Sequence, residues 1–182
     1  MKGTSMVGGL VLGLLSISCG GNDSNVPATA RSAEEGNPQQ VAFTEADLDK
    51  FERGLRQEID AVKAAQQKAA TAATAQERGE AIQAQWETAT IKVGAAASEL
   101  SEARYGAVRE AVNRILTTLD YQGKIDGPLS IDLERADPAT KARVSGDAFA
   151  ELPSQSATAL RARMDRLVPL WSEYKKLVAV AG

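Results

Sequence analysis

Histidine is absent from the 182 residues, and cysteine occurs once, at Cys19. Histidine is the commonest metal ligand and the usual proton-transfer group near neutral pH. A thiolate is the other common nucleophile and zinc ligand. Ser-His-Asp and Cys-His catalysis, His-ligated haem and ordinary zinc sites are therefore excluded by inventory, and neither a metal nor a cofactor is expected. Paired carboxylates remain the one acid–base device on offer. Aromatic residues are scarce, at 4%, and no proline falls between Pro38 and Pro128, so helix is unopposed over that interval. Positive charge is not in excess either: 21 Lys and Arg stand against 24 Asp and Glu. Nucleic-acid binders carry a basic footprint, so no nucleic-acid partner is expected.

What is present begins with Lys2, an apolar run from Met6 to Ile17, and Ser16-Ile17-Ser18-Cys19-Gly20. A helix that crosses a bilayer needs roughly 20 apolar residues, more than this run supplies. A basic start, a short apolar middle and small residues before a cut site describe a removable export peptide. The layout resembles the bacterial lipoprotein signal, whose cut falls just before a cysteine that is then lipid-modified. Ser18 fits that pattern, while Ser16 occupies the place usually held by Leu, with Leu15 one step further back. Ser16 and Ser18 are also the small pair an ordinary signal peptidase requires, so both processing routes stay open. The resemblance implies cleavage of residues 1–18 and lipidation of Cys19. Gly20 is not the Asp that retains such proteins at the inner membrane, which implies an outer-membrane anchor facing the periplasm. The membrane is then one partner, held at about 0.8 kcal/mol per buried methylene. Loss of residues 1–18 removes only Lys2 among the charges and leaves a net charge of −4. The resemblance ends there, and it carries no functional residue over to residues 43–182.

Residues 19–42 read as anchor and linker, rich in Gly, Asn, Ser, Pro and Ala. Such a coil spans roughly 25 Å. Residues 43–182 then form one domain, expected to be all-α: an antiparallel bundle of three to four amphipathic helices with one longer acidic loop at about 122–137. Thr44 with Asp47 predicts a capping box, with Phe43 and Leu48 as a hydrophobic staple. Leu48, Phe51, Leu55, Ile59 and Val62 recur at helical spacing. Asp49–Arg53 and Glu52–Arg56 place opposite charges four apart on the other side. At 100° per residue the stripe then jumps to the opposite face between Val62 and Ile82. That jump predicts a break near Thr74–Gly79, with a second candidate at Gly94–Ser101. Ile82, Trp86, Val93, Leu100, Val108, Val112, Ile115 and Leu119 share one broad face. Asp137 caps a helix opened by Pro138, and Pro153 opens the last one. In that helix Ala157, Leu160, Met164, Leu167, Trp171, Tyr174, Val178 and Ala181 alternate by three and four, with Pro169 expected to bend it.

Four groups of residues compete as sites. Trp86, Met164, Trp171 and Tyr174 are either core packing or the walls of an apolar ligand pocket. Met164 lacks a histidine to share a haem with. Gly123-Lys124-Ile125-Asp126 resembles the middle of an EF-hand loop, but only Asp120 and Asp126 fall on ligand positions, too few for calcium. Asp120, Asp126, Asp132, Glu134 and Asp137 make the long loop acidic, as solvated cover or as a partner surface. Arg161, Arg163, Arg166, Lys175 and Lys176 give the last helix a basic side, solvated or facing anionic lipid head groups. The expectation is a membrane-anchored lipoprotein whose non-catalytic bundle binds an unknown protein partner or scaffolds the envelope. The alternative is a small hydrophobic ligand- or lipid-binding bundle, and a carboxylate-only enzyme comes third. Oligomeric state is not legible. An exposed apolar patch would favour the first, an enclosed apolar cavity the second, two carboxylates converging in a cleft the third.

Overall fold

The computed structural model describes residues 41–128 and 135–179. Cys19, the linker as far as residue 40 and the loop residues Leu129, Ile131, Asp132, Leu133 and Glu134 lie outside that set, as does Ala181. The described residues are all-helical. Seven helices follow one another: α1 (Glu45–Thr71), α2 (Ala75–Gln83), α3 (Glu87–Ser98), α4 (Glu102–Tyr121), α5 (Pro138–Val144), α6 (Ser154–Arg161) and α7 (Met164–Ala179). None of them is long and apolar enough to cross a membrane.

The central helix is α1, which packs against α2, α3, α4, α6 and α7. Its start is the expected capping box: the Asp47 amide donates to Thr44 Oγ1 at 3.2 Å, and the Thr44 amide donates to Asp47 Oδ2 at 2.9 Å. Just before it, Phe43 is clamped to α6. Its amide donates to Ser156 Oγ (2.8 Å), whose hydroxyl donates back to the Phe43 carbonyl (2.9 Å). Leu48, Phe51, Leu55, Ile59 and Val62 are all buried, as their spacing requires. They meet Val108, Val112, Ile115 and Leu119 of α4 and Leu167 and Trp171 of α7 in one core. Full burial of such side chains stabilises the fold by about 1.5–3 kcal/mol each.

Seven helices stand where three or four were expected, because the chain is interrupted more often than hydrophobic phase alone revealed. The first break lies at Ala72–Thr74, where Thr74 and Glu77 form a second capping box, and Gly79 is inside α2. The other foreseen break is at Glu99–Ser101, with Ser101 capping Arg104. Gly94, offered as its start, instead lies inside α3. A methyl group at Gly94 or at Gly54 would overlap the Tyr105 ring, and at Gly54 also the Gly94 carbonyl, so these glycines let α1 and α3 touch. A third break at Ala84–Trp86 was not foreseen. It resets the helical phase, and Ile82, Trp86 and Val93 are exposed rather than on the core face. The last helix is divided at Ala162–Arg163, ahead of Pro169, which sits inside α7. That turn aims Arg163 at Glu45 and Asp49, both 3.1 Å away. Asp49 therefore pairs with Arg163 and Arg166 rather than Arg53, which pairs with Glu99. Glu52 does bind Arg56 (2.6 Å), yet its carboxylate is buried and also holds Arg166 at 2.6 Å.

After α4, Gly123 adopts φ +65° and closes the helix in a Schellman arrangement. The Lys124 amide donates to the Leu119 carbonyl and the Gly123 amide to that of Asp120, both at 2.9 Å. Ile125 then packs partly onto the core, and Asp137 caps α5 as expected.

Candidate functional site

Two departures from ordinary burial meet at the start of α3. The first is a charge network sealed between helices. Glu58 of α1 has no exposed side-chain surface, and Arg109 of α4 has 7%. Arg109 Nε donates to both Glu58 oxygens, at 3.0 and 3.2 Å. Tyr105 Oη donates to Glu58 Oε1 at 2.6 Å and Thr90 Oγ1 to Oε2 at 2.8 Å. Thr90 Oγ1 is in turn 3.1 Å from the Tyr174 hydroxyl, which donates because the threonine proton is committed to Glu58. Arg109 also stacks over the Tyr174 ring, 5.1 Å from its centroid, and its Nη1 grips the Glu87 carboxylate on the first residue of α3.

Electrostatics follow from this packing. Burial and the adjacent Glu58 push the Tyr105 phenol far above its ordinary value. Burial pushes Tyr174 up as well, against the pull of Arg109. For Arg109, burial opposes the charge, but Glu58 outweighs it and holds the guanidinium more firmly protonated than usual. Glu58 thus has donors on both oxygens and no route to water. Glu58 and Glu87 do converge on one arginine, but they are the anions of an ion-pair network. A buried pair of this kind is expensive to break and contributes little net stability beyond an apolar equivalent. Its role is to hold α1, α3, α4 and α7 in one arrangement.

The second departure is Trp86, at the N-cap of α3, with 55% of its surface exposed. Ile82 and Val93, four residues before it and seven after in the chain, are exposed at 38% and 41%. Trp86, Ala84, Ala89 and Ile91 supply the apolar floor of an open groove of about 970 Å³, rimmed by Glu80, Glu87, Glu102 and Lys92. Neither Glu80 nor Glu102 is paired with a cation among the described residues; Glu80 accepts only from the Gln76 amide, at 3.1 Å. Glu87 joins groove and network: one carboxylate lines the former and is held by Arg109 of the latter.

Compared with protein-family models, curated proteins and solved structures, the chain matches none. Any functional reading rests on its own geometry.

The four pocket candidates line no common cavity. Trp171 and Tyr174 are buried, and the space between them, Phe51, Leu55, Arg109 and Asn113 is about 10 Å³, the scale of one water molecule rather than a ligand. Trp171 Nε1 is satisfied by Asn113 Oδ1 at 2.7 Å. Met164 packs at the edge of the core, and Trp86 stands apart in its groove. A second groove, about 630 Å³, runs along α1 and α7 between Gln66, Asp126, Val168, Pro169, Ser172 and Leu177. Asp126 therefore lines a groove, whereas Asp120 is buried against Gly127. Among the described residues no three His, Cys, Asp or Glu side chains are placed to hold a metal ion. The basic side of the last two helices is largely spoken for. Arg161 lies over the Phe149 ring at 4.0 Å and 3.6 Å from Asp147, while Arg163 and Arg166 are tied to carboxylates of α1. Lys175 is half-buried, and that burial lowers its pKa. Of the five, Lys176 is exposed and has no ion pair among the described residues, and it stands at the rim of the second groove.

Sequence reasoning missed Glu58, Arg109, Thr90 and Tyr105 as a unit. A signal existed: Phe51, Leu55, Glu58 and Val62 fall at steps of four, three and four, so Glu58 occupies a core slot on the stripe.

Proposed function

We propose that this protein is a cell-envelope lipoprotein, anchored through lipid on Cys19 in the outer membrane facing the periplasm. Its helical domain acts by docking a protein partner rather than by catalysis. The anchor is supported by the layout of residues 1–20, and the docking role by Trp86. An aromatic ring is placed outside the core, over a groove whose floor is apolar. Exposed apolar surface of this kind marks interaction sites, and Trp is the residue most often found carrying interface energy. The long helices α1, α4 and α7 serve as the staves of an antiparallel bundle that stiffens this platform. A second reading, a small hydrophobic ligand, is favoured by the groove beside Pro169, whose volume lies within the range of ligand sites.

Two measurements in the native cell test the first reading. Intact mass of the mature protein should show residues 1–18 gone and acyl chains on Cys19. A photo-crosslinking amino acid at position 86 should give a discrete protein adduct that one at exposed Glu110 does not. An unmodified protein starting at Cys19 would overturn the anchor, and an adduct-free position 86 would overturn the docking role.

A further inference from the structure

We propose that the occupant of the Trp86 groove is a basic amphipathic helix: a partner segment with apolar side chains on one face and Lys or Arg flanking them. This rests on reading the groove as a docking site and adds the chemistry of what docks. Along α3, Trp86, Ala89 and Lys92 follow one another at steps of three, and all three line the groove. At 1.5 Å rise per residue the stretch from Trp86 to Lys92 is roughly 9 Å, under two turns, matching about two turns of an incoming helix laid with its i and i+3 or i+4 residues inward. The rim then decides the charge. Three carboxylates, Glu80, Glu87 and Glu102, face one ammonium, Lys92. Arg109 contacts Glu87 but shares its one charge with Glu58, and among the described residues Glu80 and Glu102 pair with no cation. An acidic or lipid-phosphate ligand would meet like charge on both walls, and an uncharged one would leave both anions partly desolvated and unpaired. A helix bearing its own cations covers Trp86 and supplies the missing counter-charges, which favours fast and selective association.

The test uses the full chain carrying Cys19→Ser, to keep acyl chains out of the measurement. The probe is a fluorescein-labelled 18-residue amphipathic peptide of leucine and lysine, read by anisotropy against its leucine–glutamate counterpart. The lysine peptide should bind at least about tenfold more tightly than the glutamate peptide. Trp86→Ala should weaken it about tenfold or more. Glu80→Gln with Glu102→Gln should weaken it several-fold and flatten its salt dependence, while Glu151→Gln, a carboxylate elsewhere on the surface, should leave it unchanged. Equal binding of the two peptides, or indifference to Trp86→Ala, would overturn the proposal. So would Trp86-dependent binding of phosphatidylglycerol vesicles in place of the peptide. If the peptides fail while position 86 still crosslinks to a protein in the cell, the partner's chemistry is wrong and the docking role stands. If both fail, the docking role falls too.

Discussion

Replacing Arg109 with Met removes the only cation that faces Glu58 among the described residues and leaves a carboxylate with no exposed surface. Breaking a buried pair by deleting one partner costs about 3–5 kcal/mol, since the remaining charge stays desolvated. Tyr105 and Thr90 still donate to Glu58, which places the loss near the lower end, at about 3 kcal/mol. The lost contact with Glu87 adds under about 1 kcal/mol, because that carboxylate is 62% exposed. For a domain of this size the melting temperature should fall by about 10 °C. Urea unfolding followed by helical circular dichroism gives the free energies. The decisive comparison adds Glu58→Met. With both charges gone no unpaired charge remains, although the Tyr105 and Thr90 hydroxyls lose their acceptor, so the double variant should lose less than the two single losses added together, giving a coupling energy above about 1.5 kcal/mol. Arg109→Met within about 1 kcal/mol of the wild type, or an additive double variant, would refute the claim that this pair is sealed and mutually dependent.

Other consequences are smaller in reach. Glu99 ends α3 at φ 60°, a left-handed conformation costing a residue with a Cβ about 1–2 kcal/mol. Glu99→Gly should therefore raise stability by about 0.5–1 kcal/mol in the same urea assay, after the added freedom of the unfolded chain is set against it. Gly54→Ala should lower stability by about 1–3 kcal/mol, since the methyl group meets both Tyr105 and the backbone of Gly94. The Glu52 carboxyl is raised by burial but lowered more by Arg56 and Arg166, and so lies below its ordinary value of 4.5. A depressed carboxyl contributes stability that is complete above pH 4.5 and lost as pH falls through its folded value. Asp47, held below 3.8 by its capping contacts and Arg104 against the opposing effect of burial, adds to the same acid limb. A melting temperature flat from pH 7 to about pH 5 and falling below it is the expected profile, and Arg166→Gln should make the fall shallower.

How far the residues announced this fold depends on whether the interaction was local. The α1 stripe, the Thr44 capping box, the Ser101 and Asp137 caps and the Pro138 start all involve partners within a few positions, and each stands in the structure. Phase arithmetic located the first break because Val62 and Ile82 lie on opposite faces only if the helix is continuous. The same arithmetic misplaced Trp86, since the unforeseen break at Ala84–Trp86 restarts the count. Arg161, Arg163 and Arg166 looked like a basic face, yet their partners Asp147, Asp49 and Glu52 come from elsewhere in the fold. Glu58 and Arg109 are 51 positions apart, so nothing near either residue showed which partner would answer its charge. The heptad slot held by Glu58 was the readable clue.

The polar residue inside and the aromatic residue outside are two ends of one construction, and Glu87 is where they can be separated. Local rules broken side by side tend to mark functional positions. Here Arg109 spans the interval between Glu58 and Glu87, so the buried pair also fixes the first turn of α3 and with it the Trp86 backbone. That turn is closed by the Ala89 and Thr90 amides, which donate to the Trp86 carbonyl at 2.9 and 3.1 Å. Glu87→Ala removes the Arg109 contact but leaves Glu58 fully partnered. Global stability should therefore change by less than about 1 kcal/mol, as for other partly exposed pairs. Local opening should change more visibly, with hydrogen exchange at Ala89 and Thr90 speeding up about fivefold while the α1 and α4 core amides keep their protection. Unchanged exchange at those two amides would mean that Trp86 is held by helix geometry alone and that the buried network and the groove are neighbours without mechanical connection.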